Sequence, residues 1–332
     1  MLFGHSITMN MQLIDKSWVD SPINLILTTF EMPLFVVVSG YCLFFSLNKH
    51  RPFEVLKKRA VMTLPPIVIL SFVPSVIRLF VSGGWKGKNF LDILVLFYNY
   101  TFDGKLWFLS LYLVCSMAII LLYVILHHIS NKYLKWCLLI LFVLICVVLV
   151  VYDNLLSHFG FFFPFFLVGY LLNKFNFFQR KIVCTYILAA LYIPLLFFYR
   201  AEYSFYLLNI MNASFNVPVI IIVAYRFLLS LAGCSFIYVI LSLIFKIKIL
   251  NCIKKPFLYI GKRTMAIYIL SMYLQDYLSK GFSLLGVGNY LSNYLVVVAF
   301  SIVFFIILLS FCVLFEYLIG KVKILHKLLF GS

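Results

Sequence analysis

The sequence predicts an all-α polytopic integral membrane protein, a bundle of about nine full transmembrane helices plus a partial first helix. Three observations carry that expectation. The chain is 65% hydrophobic and only 11% charged across 332 residues, with a mean hydropathy of +1.10, too little charge to cover a soluble domain. Apolar runs long enough to cross a bilayer recur along it, and they are continuous rather than alternating, which favours helices over a closed barrel. Finally, the loops between the runs alternate in charge.

The spans read at 22–47, 60–82, 106–126, 136–152, 159–173, 182–199, 218–245, 258–279 and 291–319. The 159–173 run is short and is expected to borrow flanking residues. "LDILVLFYNY" (91–100) is too short to span and reads as interfacial or re-entrant. The basic loops are 48–59, 127–135, 174–181, 246–256 and the tail 320–332, which together hold 17 of the 27 lysines and arginines. Every second loop is the more basic one, so those loops and the C-terminus are assigned to the cytoplasm. The scheme places residues 10–21 outside. "MLFGHSITM" is about half a span at 1.5 Å per residue, so the first helix reads as truncated. No second soluble domain or internal repeat interrupts residues 1–332, read as one integral membrane domain, and the N-terminus lacks the basic and apolar regions of a cleavable signal peptide. The longest outer loop, 83–105, is the expected substrate entrance.

The net charge of +17 does not point to nucleic acid, because the cations lie in short clusters between apolar runs. The eight cysteines form no CxxC pair and read as small apolar filler, with no metal site expected.

Polar residues inside spans are costly, roughly 2.5–3.5 kcal/mol for a charge at the bilayer centre, and so mark candidate function. Glu31 lies near mid-depth of the second helix, two residues before Pro33, whose missing N–H frees the carbonyl of Thr29. Asn24, Thr28, Glu31, Cys42 and, more loosely, Ser39 and Ser46 form an interrupted polar stripe. Two readings of Glu31 stand: partner of an arginine, with Arg78 and Arg226 the natural choices, or member of an active site. Arg226 lies nearer mid-depth than Arg78, which can snorkel. Lys262 and Arg263 open the 258–279 span as topology anchors or as a grip for a cytoplasmic phosphate. His5 is either structural or a general base. Trp107 sits where an indole is comfortable at an interface, and also where a sugar ring can stack. His127, His128 and His158 lie at loop edges, while His50 and His326 read as solvated.

Several stretches, in order, resemble one family. "FGHS" (3–6), "FEMPLFVVVSGYCL" (30–43), "FEVLKKRAVMTLPPIV" (53–68), "LWFLSLYL" (106–113), "FPFFLVGYLL" (163–172), "IGKRTMAIYIL" (260–270) and "KILHKLLFG" (323–331) are similar to the pattern of the membrane acyltransferase-3 family, which includes sugar and polysaccharide O-acetyltransferases. The resemblance covers nearly the whole chain. It implies a helical bundle that moves an acyl group from cytoplasmic acetyl-CoA to an acceptor hydroxyl, often on a glycan. It also implies that His5 is the catalytic histidine, that Arg59 binds the donor, that Ser39, Gly40 and Tyr41 form the second-helix motif, and that Trp107 falls in the site region. Lys57, Lys58, Arg59, Lys262 and Arg263 share the cytoplasmic side and suit CoA phosphates. Arg226, Tyr41 or Tyr268 can donate to a developing oxyanion. Three departures stand out. The family arginine about ten residues before the histidine is absent. Ser271 replaces a second histidine, and Glu31 stands where many members carry a histidine.

The expected function is therefore O-acyl transfer, most simply acetyl, from acetyl-CoA to a glycan hydroxyl, at a bacterial plasma membrane, with lipid, glycan and acyl-CoA as partners. Competing readings are a transporter or carrier of a sugar-linked substrate, a glycan polymerase, and an inactive acyltransferase relative. A polymerase would need a larger arginine-rich outer loop than 83–105, and a transporter repeated halves with broken helices.

Overall fold

A computed structural model of the chain describes residues 2–12, 21–81, 89, 91–92, 95, 105–150, 155–175, 182–200, 203, 218–247, 251–287 and 294–331. Among them, regular structure is entirely helical. Among the described residues, five helices are long and apolar enough to cross a membrane: Pro22–Lys49, Trp107–His128, Lys132–Leu149, Ile220–Ile244 and Tyr294–Gly320. The chain is an integral membrane protein. A further apolar helix, Ile182–Leu196, is 15 residues long.

The chain falls into two compact units. The first takes 1–32, 183–210 and 228–326. It opens with α1 (Leu2–Gln12), which packs against α12 (Tyr294–Gly320) and α11 (Thr264–Leu284). Ile7, Met11 and Val297 form their buried contact, ringed by Phe3, Leu27, Tyr294 and Phe300. A polar tie crosses it, from the Asn10 amide to Ser301 Oγ at 2.9 Å. The tie is buried, so its hydrogen is not contested by water and fixes the register of α1 on α12. A second cluster, Ile267, Phe304, Leu308 and Cys312, zips α11 to α12. This unit also holds the start of α2 (Pro22–Lys49), most of α8 (Ile182–Leu196), the later part of α9 (Val219–Ile244) and α10 (Asn251–Lys262). Thr29 Oγ1 and Tyr192 Oη lie 2.8 Å apart, joining α2 to α8 by a buried hydroxyl pair.

The second unit takes 33–182, 211–227 and 327–332. It contains the rest of α2, which runs on through Pro33 as one helix, then α3 (Pro52–Ile67), a π-turn (Val68–Phe72), α4 (Val73–Val81), α5 (Trp107–His128), α6 (Lys132–Leu149) and α7 (Leu155–Lys174). Pro52 in the first turn, where no N–H is needed, and Glu54 near the positive end start α3 early. The segment 48–59 is therefore mostly helix, and Lys57, Lys58 and Arg59 stand on α3 rather than in a loop. The expected span 60–82 is broken by the π-turn, which follows Pro65 and Pro66. Two adjacent prolines remove two donors from the helical ladder, and a π-turn is a way to take up the lost register. Asn131 caps α6, its Oδ1 accepting from the N–H groups of Tyr133 and Leu134.

The helices α2 and α7 meet backbone to backbone. A Cβ on Gly40 would stand 2.0 Å from the Phe166 carbonyl oxygen, and one on Gly169 1.9 Å from that of Val37. Only glycine fits on either side, the device by which small residues let membrane helices approach.

Two expectations change here, for the run 258–279 and for the tail. The run 258–279 is two helices, α10 and α11, divided at Arg263, so Lys262 and Arg263 lie at a break rather than at the head of one span. The 159–173 run borrows flanking residues as expected, forming a helix over Leu155–Lys174. The tail carries a helix of its own, α13 (Lys323–Phe330), closed by Gly331 at φ 69°. The Arg78 side chain and most of 83–105 lie outside the described residues.

Candidate functional site

In the first unit, α1 presents the Gly4–His5 step to Glu31 of α2. A Cβ on Gly4 would stand 2.8 Å from Glu31 Oε2, so the carboxylate lies directly over that glycine. It also interacts electrostatically with the half-buried His5 imidazole. The acid and the imidazole, 26 positions apart in sequence, thus share one corner of α1 and α2. A carboxylate beside an imidazole can orient it and stabilise the imidazolium formed when the ring takes a proton. Thr28 and Asn24, one and two turns before Glu31, are also buried. Further along the stripe Cys42 is exposed, and the hydroxyls of Ser39 and Ser46 donate back to the carbonyls of Phe35 and Cys42 on their own helix. The stripe is therefore a buried polar wall only in its first half.

The second unit holds a basic cavity of about 480 Å³, lined among others by Lys49, His50, Glu54, Lys58, Arg59 and Tyr112. Arg59 is buried, at 7% exposure. Its Nη1 donates to the Tyr112 hydroxyl and, at 2.9 Å, to Ser116 Oγ, and its guanidinium lies 4.9 Å from the centre of the Tyr112 ring. Ser116 in turn donates to the Tyr112 carbonyl at 2.7 Å. These hydrogen-bond partners are neutral oxygens of α5, which position the guanidinium without neutralising it. Burial makes such a charge costly and hence a strong attractor of an anion. Lys58 and Lys49 are exposed at the same cavity. Lys49, Tyr112 and Ser116 were not singled out by sequence, and His50, read there as solvated, lines this cavity. The signal available for Tyr112 and Ser116 was spacing: they are one turn apart and so share a face of α5.

The other candidates fall as follows. Arg226 is fully buried in the second unit, its guanidinium 5.9 Å from the Phe161 ring. Trp107, in the first turn of α5, packs against His158 of α7 at 4.9 Å between ring centres and against Phe162 at 6.1 Å. The Tyr41 ring meets Phe45, and its carbonyl accepts from Asn173 at 2.9 Å. Tyr268 is buried in the first unit. Lys262 is exposed. Arg263 is engaged: its Nε donates to Glu316 Oε2 at 2.8 Å, and its guanidinium lies 3.8 Å from the Tyr259 ring centre. His326 faces the other oxygen of Glu316 at 3.5 Å, so it belongs to this cluster and is not simply solvated. Glu316 was missed, although it is an acid near the end of an otherwise apolar span and the rule that exposed Glu31 applied to it equally.

A family model described as an acyltransferase domain matches residues 1–316. The chain therefore belongs to this acyltransferase family. No curated protein and no solved structure matches it.

Proposed function

We propose that this membrane acyltransferase takes acetyl groups from cytoplasmic acetyl-CoA and transfers them to a hydroxyl of a cell-surface or exported glycan. In this reading it lies in a bacterial plasma membrane with its C-terminus in the cytoplasm, and the described helices belong to nine full spans and a partial first one. The observation that carries the proposal is the basic cavity around Arg59, with its guanidinium held on neutral hydroxyls. CoA brings several phosphate charges, and a buried guanidinium flanked by Lys58 and Lys49 offers both a directional fork and a positive field.

His5 serves as the base. It removes the proton of the acceptor hydroxyl as that oxygen bonds to the thioester carbonyl carbon, and Glu31 stabilises the imidazolium that results. The C–S bond then breaks, and the proton passes from His5 to the CoA thiolate. Tyr268, in the unit that holds His5, is assigned to the oxyanion, Lys262 to the outer reach of the CoA phosphates, and Trp107, Ser39 and Tyr41 to the acceptor side; Arg226 is proposed as a catalytic cation of the second unit. Arg263 is assigned to structure, because Glu316 already takes its charge.

The test is transfer of label from acetyl-CoA into surface glycan in cells with and without the gene. Acceptor acetylation should depend on the gene and fall about 10²-fold or more in His5→Ala, the scale of a lost general base. Equal acetylation in both strains overturns the reading.

A further inference from the structure

The ends of α5, α6 and α7 enclose a second cavity, of about 290 Å³, which the acyl-transfer reading does not use. Its floor is aliphatic, with Leu126, Leu139 and Leu171 among the lining residues. Its rim carries Lys132, Lys135, Lys174 and His127, and among the described residues no carboxylate lines it. Two rings flank the opening, Trp136 and Phe175, stacked at 6.5 Å with planes 11° apart. Lys174 Nζ lies 5.9 Å from the Phe175 ring centre.

The place of the cavity along the helices matters. His127 is in the last turn of α5, Lys132 is the first residue of α6, and Lys174 is the last of α7. Both α5 and α6 are candidate spans. The cations therefore stand at the edge of the apolar slab, and the leucines lie inside it. Only 6% of the apolar stretch of α6 is buried, so the cavity opens beside a helix that meets lipid. Its charge selects an anion and its floor selects a hydrocarbon chain. A soluble phosphate would use the rim and leave the leucines idle, whereas a zwitterionic lipid would leave three lysines without compensation.

We propose that this cavity binds an anionic phospholipid, with Lys132, Lys135 and Lys174 holding the headgroup phosphate and an acyl chain lying over Leu126, Leu139 and Leu171. The proposal rests on the membrane character of the chain and is independent of its substrate.

Trp136 supplies the readout. The full chain is reconstituted in phosphatidylcholine vesicles doped with phosphatidylglycerol or phosphatidylcholine brominated on the acyl chain, and the Trp136 contribution to fluorescence is isolated by difference with Trp136→Phe. At equal mole fraction the brominated phosphatidylglycerol should occupy the site about fivefold or more better, the scale of about one kcal/mol per lysine near a membrane surface. The triple variant Lys132→Gln/Lys135→Gln/Lys174→Gln should lose that preference. Should the triple variant fold poorly, the single Lys135→Gln, with a partial loss, and a salt titration of the wild type, with a preference that fades, read the same effect. Equal quenching by the two lipids, a preference that survives removal of the lysines, or a preference abolished by inorganic phosphate but not by chloride at equal ionic strength would each overturn it.

Discussion

Two buried or half-buried arginines, one in each unit, have opposite surroundings. Arg59 is held by two hydroxyls and an aromatic ring, all neutral, at the base of a cavity. Arg263 is held by a carboxylate, with a ring beneath it and a histidine on the carboxylate's far oxygen. Both were read from sequence as cytoplasmic cations suited to phosphate. The difference shows that a cation's availability depends on its partner. Hydroxyls fix the direction of a guanidinium and leave its charge for a ligand, whereas a carboxylate consumes the charge in tying two helices together.

The largest expected effect is on the neutral side of that contrast. Arg59→Ala should weaken acetyl-CoA binding about 10- to 150-fold, the range of a lost charge-assisted hydrogen bond of roughly 1.5–3 kcal/mol, with the protein still folded. Titration calorimetry on the purified chain measures it. An unchanged affinity would remove Arg59 from the donor site. Next, Arg263→Ala should leave donor affinity within about twofold and lower stability by roughly 1–3 kcal/mol, since it strands the Glu316 carboxylate in a mostly buried place. Melting followed by tryptophan fluorescence, combined with Glu316→Gln and the double variant, measures the coupling. Purely additive effects would show that the pair is not the tie described here. Tyr112→Phe keeps the ring and removes one hydroxyl, and should weaken donor binding by about two- to tenfold through a less well-aimed Arg59. The smallest effect belongs to His326→Ala, within about 1 kcal/mol of wild-type stability, because Arg263 already satisfies Glu316.

Much of this was legible in the sequence. Continuous apolar runs dictate membrane helices because a bilayer leaves backbone groups no other solution, and Glu31 stood out because a charge in that setting is expensive. The closeness of Glu31 to α1 was not legible, since it depends on how two helices separated by residues 13–20 meet. Nor was the break at Arg263: hydropathy continues across 258–279, and only the polar step Gly261-Lys262-Arg263-Thr264 hinted at it. The Ser39-Gly40-Tyr41 motif was legible, but not the close helix approach that Gly40 permits. That approach needs a partner, Gly169, that no local pattern supplies.

The contact of Gly40 and Gly169 has a consequence for traffic through the protein. Where two backbones touch there is no layer of side chains to swing aside, so no rotamer change opens a passage. At that depth α2 and α7 form a seal, and any solute that crosses the bundle must take a route that does not run between them.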